Sequence, residues 1–181
     1  MTAAYLDARR REILTAAVAQ FAEKGFEHTS MADIAAAAGI SIGAVYRYFP
    51  SKNDLVLSVC GEGEGEPVPG KTVAEAVGHL HRQVAPQENG STHARLVAQI
   101  WGNAAIDDVL ASTVARRHAD VRDQLAALIS RGRSCADGER PAASDEAEVV
   151  LAALIGYAAL VAAEAPVDHA GFERVLSRLL D

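Results

Sequence analysis

The sequence predicts an all-α chain, with a three-helix helix-turn-helix head at the N-terminus followed by a larger helical bundle. Three observations predict it. Half of the 181 residues are apolar but only 5% are aromatic, with Ala and Leu abundant, which suits helices better than a sandwich. Apolar residues recur at helical spacings in segment after segment, and no strand-length alternation appears. Capping residues, glycines and prolines divide those segments at helix-length intervals.

Residues 7–24 form the first helix, with Ile13, Leu14, Ala17, Val18 and Phe21 in one stripe. Gly25 suits a left-handed exit, after which Phe26 packs back on Phe21. Met31, Ile34, Ala35 and Ala38 share one face of a short second helix, with Ser30 as N-cap and Asp33 as an acidic form of the capping box. Gly39 makes the next turn, and Ser41 caps a third helix whose inward residue is Val45. A small Ala35 at the crossing, Gly39 in the turn and Val45 locking the second helix down form the frame of a helix-turn-helix. The second helix of that motif enters the major groove of DNA. Pro50-Ser51 ends it, and Ser51 with Asp54 caps a fourth helix that continues through Leu55, Val56 and Val59.

The runs Thr29-Ser30-Met31-Ala32-Asp33-Ile34-Ala35, Ala38-Gly39-Ile40-Ser41-Ile42-Gly43-Ala44-Val45-Tyr46-Arg47-Tyr48-Phe49 and Ser51-Lys52-Asn53-Asp54-Leu55 closely resemble the tetracycline-repressor (TetR) family. The resemblance is specific over about residues 9 to 60 and architectural beyond. It implies a DNA-binding domain over residues 1–50 and an effector-binding and dimerisation domain over 51–181, with the helix from 51 to 60 linking them. It also implies a bundle that binds a small effector and dimerises through two late helices.

The tract from Gly61 to Gly70 combines glycines, prolines and three glutamates, and reads as a mobile linker. Val73, Val77, Leu80 and Val84 describe a fifth helix ended by Pro86. Gln87 to Ser91 reads as a loop, and Thr92 caps a sixth helix carrying Leu96, Val97, Ile100, Trp101 and Ala104. A seventh, about Asp107 to Arg133, shows Val114, His118, Val121, Leu125 and Leu128 as a heptad-like seam. After a loop from Cys135 to Ala143, Ser144 caps a long eighth helix, with Asp145, Glu146 and Glu148 near its positive end. A last short helix holds Phe172, Val175, Leu176, Leu179 and Leu180.

The net charge of −7 divides unevenly. Residues 1–60 hold six basic and six acidic side chains, and the remainder holds eleven and eighteen. A neutral head on an acidic body leaves the head as the place for nucleic acid, with modest non-specific affinity. Cys60 and Cys135 lie far apart without metal-like spacing and read as reduced thiols. The N-terminus lacks the apolar core of a signal peptide. The longest apolar run, Val149 to Ala163, is flanked by glutamates and too short to span a membrane. These readings predict a cytoplasmic protein without a membrane partner, and the resemblance implies a bacterial one.

Ile42, Gly43 and Ala44 begin the third helix, where groove-reading side chains lie. Gly43 and Ala44 let the backbone approach, and Ala44 or Ile42 could touch a thymine methyl. Arg47 is the side chain of this helix able to grip guanine or hold a phosphate. Of Tyr46 and Tyr48, one on either side of it, at least one suits a phosphate contact. Lys52 opposes the dipole at a helix start, which a phosphate would compensate. Thr29, Ser30 and Met31 open the second helix and could offer hydroxyls and N–H groups to the other strand's backbone. Arg9, Arg10 and Arg11 read equally as a flanking contact or a solvated arm. The resemblance supports these DNA-binding roles at the matched positions.

In the body, His93, Gln99, Trp101, Asn103 and His118 are the candidate effector contacts, in a pocket expected among helices four to seven and mainly aliphatic. Val121, Leu125, Leu128, Ala153, Gly156, Tyr157 and Leu160 are the candidate homodimer contacts on helices seven and eight. His79 and His81 form a bare His-x-His with no third ligand, so no metal or cofactor is expected. No nucleophile–base pattern or P-loop is visible, which speaks against an enzyme. The leading reading is a ligand-responsive repressor on a palindromic operator. Its rivals are an activator or effector-independent regulator and, from another class, a small-molecule-binding helical protein.

Overall fold

The structure, a computed structural model, describes residues 3–60, 67–86, 90–132 and 141–178. They form α1 (Ala3–Lys24), α2 (Met31–Ala37), α3 (Ile42–Tyr48), α4 (Lys52–Cys60), α5 (Val73–Val84), α6 (Gly90–Ala104), α7 (Asp108–Gly132), α8 (Ala143–Ala162) and α9 (His169–Arg178). No strand occurs among the described residues.

Local chemistry accounts for most helix ends. Gly25 and Gly39 take φ of 85° and 64°, a region that penalises any residue with a Cβ. Phe26 then meets Phe21 edge-on at 4.8 Å. Ser30 and Asp33 close a capping box on α2. Ser41 accepts from Ala44 N at 3.2 Å on α3, and Ser51 accepts from Asp54 N at 3.1 Å on α4. Asp107 caps α7 through Leu110 N at 2.9 Å. Ser144 does not cap α8: the helix starts at Ala143 behind Ala142, with no side-chain cap. The sixth helix likewise starts at Gly90, ahead of Thr92.

Three apolar clusters hold the chain together. The first joins Ile13, Leu14, Phe21, Ile34, Val45 and Phe49 of the head to Leu55, Val56 and Val59 of α4, and runs on into Leu96, Leu110 and Val114 of the body. Each fully buried Leu or Ile contributes about 1.5–3 kcal/mol of transfer free energy, so head and body are tied by packing as well as by α4. The second cluster packs α5 and α7 on α8, and the third places Tyr157 and Val161 of α8 against Val84 and Ala94.

Two expectations about the body change. Val68, inside the tract read as a mobile linker, is buried in the second cluster, and its N–H donates to Gln124 Oε1 at 2.6 Å. Residues 61–66 of that tract lie outside the described residues, as do the loop with Cys135 and the terminal Leu179 and Leu180. The α7 seam of Val121, Leu125 and Leu128 faces inward onto Val150, Leu151 and Leu154, and Tyr157 is 1% exposed. These four side chains are unavailable to a second chain, because α8 of the same chain already covers the seam. Ala153 also packs against that cluster, whereas Gly156 and Leu160 are exposed.

Candidate nucleic-acid interface and effector cavity

The head turns one face of α3 inward and the other outward. Val45 and Phe49 are buried at 0% and 2%, while Ile42 and Tyr46 are 46% and 48% exposed. Gly43 and Arg47 are exposed with them, and Ala44 is half-buried. A Cβ at Gly43 would meet nothing within 4 Å, so the start of α3 is open to an approaching surface. Tyr48 is half-buried against the first cluster, which leaves Tyr46 as the phenol able to reach outward.

The cations around this face differ in their engagement. Lys24 pairs with Asp33 at 2.7 Å, and its hydrogen bond, followed by those from Ser30, holds the Asp33 carboxyl well below the usual carboxylate range. Arg9 pairs with Glu12 at 2.6 Å. Arg10 lies over the Phe49 ring at 5.1 Å and donates to Ser58 at 3.1 Å. The basic arm is therefore part of α1, with Arg11 exposed beside it.

Three expected contacts sit differently from the simple picture. Thr29 is 2% exposed, and its hydroxyl faces the carbonyls of Gly25 and Gln20 at 2.8 and 3.1 Å, closing the α1–α2 connection. Met31 is buried in the first cluster. Lys52 Nζ donates to the carbonyls of Phe26 at 2.8 Å and Glu27 at 3.3 Å. The cation at the start of α4 thus finds its compensation in the carbonyls that follow α1. Ser30 is exposed, but its side chain and N–H are both engaged by Asp33.

The body contains a cavity of about 240 Å³ between α5, α6, α7 and α8, walled by Leu80, Val84, Val97, Ile100, Leu151 and Leu154 among others. Trp101 and His118 line it, with their rings edge-on at 5.6 Å. His93 lines a second, more polar chamber of about 430 Å³ on the side toward α1 and α4. Gln99 and Asn103 border neither chamber. Asn103 donates to the Gln99 carbonyl at 2.8 Å, and Gln99 Oε1 is buried without a partner among the described residues. Sequence reasoning missed Arg117 and Gln83, which line both chambers. They belong to polar stretches whose inward positions a hydrophobicity pattern cannot distinguish.

The geometry defines a helix-turn-helix protein with a hollow helical body. Residues 13–59, the head of the chain, match the family model described as bacterial regulatory proteins, tetR family. Among curated relatives, the transcriptional regulator HbdR of Aromatoleum sp. is 28% identical over 105 residues, covering 57% of this chain and 40% of that protein. The transcriptional repressor KstR2 of Mycobacterium tuberculosis is 44% identical over 54 residues, covering 30% of this chain and 27% of that protein. The aligned parts thus span less than half of either relative. The solved structure of a TetR-family transcriptional regulator from Agrobacterium tumefaciens superimposes with a TM-score of 0.71 at 22% identity, covering 96% of both chains. That match extends the shared fold over nearly the whole chain.

Proposed function

We propose that this chain is a ligand-responsive transcriptional regulator, a repressor that binds a palindromic operator as a homodimer and leaves it when a small effector occupies the body. The observation that carries the reading is α3: its rear face is locked into the core while Ile42, Gly43, Ala44, Tyr46 and Arg47 line the outside. The repressor name of the KstR2 relative, whose match lies in the head, agrees with the direction of regulation. In this reading residues 1–50 bind DNA, residues 51–181 bind effector and partner, and α4 belongs to both. The chain acts without catalysis and works in the bacterial cytoplasm.

Contact with bases falls to Arg47 and the first turn of α3, and contact with phosphates to Tyr46 and Arg11. Homodimerisation falls to the exposed side of α8, where Gly156 and Leu160 line up with Val149 and Ala152. A two-fold dimer sets its recognition helices about 34–36 Å apart, one turn of DNA. Selection of duplexes from a random pool, followed by titration, tests the proposal. The expected product is a palindrome with half-sites about one turn apart. Arg47→Ala should weaken binding to it by about 1–3 kcal/mol and relax one base position. Enrichment of no duplex at low salt would overturn the reading.

A further inference from the structure

We propose that the effector is an aliphatic carboxylate of medium chain length, its tail in the apolar cavity and its anionic end at Arg117. The inference rests on the reading of this cavity as the effector site and names the chemistry that fits it.

The walls differ in charge from the rest of the chain. The chain as a whole carries 24 acidic against 17 basic side chains, yet among the described residues no Asp or Glu lines either chamber. Arg117 lines both, and three of the six histidines, His79, His93 and His118, line one or the other. A cationic ligand would find no carboxylate among the described lining residues. An anion meets a guanidinium, whose planar donors match a carboxylate.

Arg117 is held in place by a chain of hydrogen bonds. Its Nη1 donates to Asp120 at 2.9 Å; Asp120 in turn accepts from Gln124 at 3.2 Å, and Gln124 accepts from Val68 N at 2.6 Å. This relay fixes the guanidinium along one edge, and five N–H donors leave others for a ligand. Asp120 itself lines neither chamber. His118 directs Nε2 to Glu148 at 2.9 Å, so Arg117 rather than His118 is the anion's main partner.

The two chambers differ in size and polarity. The first chamber is mostly aliphatic and, at about 240 Å³, smaller than the roughly 300–1,000 Å³ of typical ligand pockets. That accommodates a flexible hydrocarbon chain better than a large rigid ring system. The polar chamber beyond Arg117 is bounded by Val18 of α1 and Val59 of α4. The charged end of the ligand therefore lies against the two helices that carry the head.

Trp101 is the only tryptophan of the chain and lines the apolar chamber, so its fluorescence reads occupancy without DNA. Decanoate, decanol and decylammonium, each kept below its micellar concentration, are titrated into the full chain. Decanoate is expected to give a saturable Trp101 change with at least tenfold tighter binding than the other two. Arg117→Ala should abolish that preference, Arg117→Lys should keep part of it, and Val97→Phe should weaken all three by filling the chamber. Equal binding of the three compounds to the wild-type chain overturns the proposal, as does a decanoate preference that survives in a folded Arg117→Ala chain. The wild-type comparison decides the matter even if a variant fails to fold. Trp101-detected binding of decanoate without release of the operator upholds the ligand class and overturns the regulatory reading. Release by an unrelated compound, with decanoate not bound, does the reverse.

Discussion

His81 shows at the scale of one residue how burial sets a pH response. It is 4% exposed, packs against the rings of both Tyr157 and Phe172 at 4.9 and 5.6 Å, and neither ring nitrogen has a hydrogen-bond partner among the described residues. Burial pushes its pKa below the ordinary value; Glu173 opposes this, while His169 and Arg82 add to it. The unfolded chain therefore binds a proton here at higher pH than the folded chain does. Stability from this site is intact above about pH 6.5, falls as pH drops below it, and levels off once the folded pKa is passed. His81→Leu should narrow the loss of Tm between about pH 7.5 and 5.5, measured by thermal melts. An unchanged gap would mean that His81 titrates as an exposed histidine.

At the scale of the element, α8 has two faces with different tasks. Ala147, Val150, Leu151, Leu154, Tyr157, Ala158 and Val161 are buried within the chain. On the other side, Val149 and Leu160 are 62% and 48% exposed, and a Cβ at Gly156 would meet nothing within 4 Å. Leu160→Asp should therefore convert the proposed dimer to monomer by sedimentation, with helical content unchanged, because it adds a charge to an outer face. Leu154→Ala should instead cost about 2–5 kcal/mol of stability through a cavity in the core. Loss of folding in the Leu160 variant would place that residue in the core and remove it from the interface.

At the scale of the molecule, the head is joined to the body by α4 and by a continuous core. Lys52 is a strut of this joint, since its ammonium ties the start of α4 to the carbonyls after α1. Lys52→Met should lower stability by about 1 kcal/mol, seen as a lower Tm, and leave the salt dependence of operator binding unchanged. A salt slope reduced by about one, with Tm unmoved, would return Lys52 to the phosphate contacts. The proposed effector control has a physical route through the same joint. Val59 borders the polar chamber and belongs to the cluster that holds α3, so a ligand that displaces α4 also changes how the head is carried.

The sequence by itself determined the all-α class, the capping boxes at Ser30 and Ser51, the turns at Gly25 and Gly39 and the inward Val45. These depend on contacts within a few residues, and backbone stereochemistry fixes them locally. Only the tertiary structure decided where the polar side chains point. Thr29 and Lys52 turned to carbonyls of the α1–α2 connection, the α7 seam closed on α8 of its own chain, Val68 was drawn into the core, and Arg117 reached the cavity. A helical pattern gives the direction of a residue around its own axis, but not which neighbour will stand there. The opening helix-turn-helix is thus written in local chemistry, whereas the cavity that would control it exists only once four distant helices have packed around it.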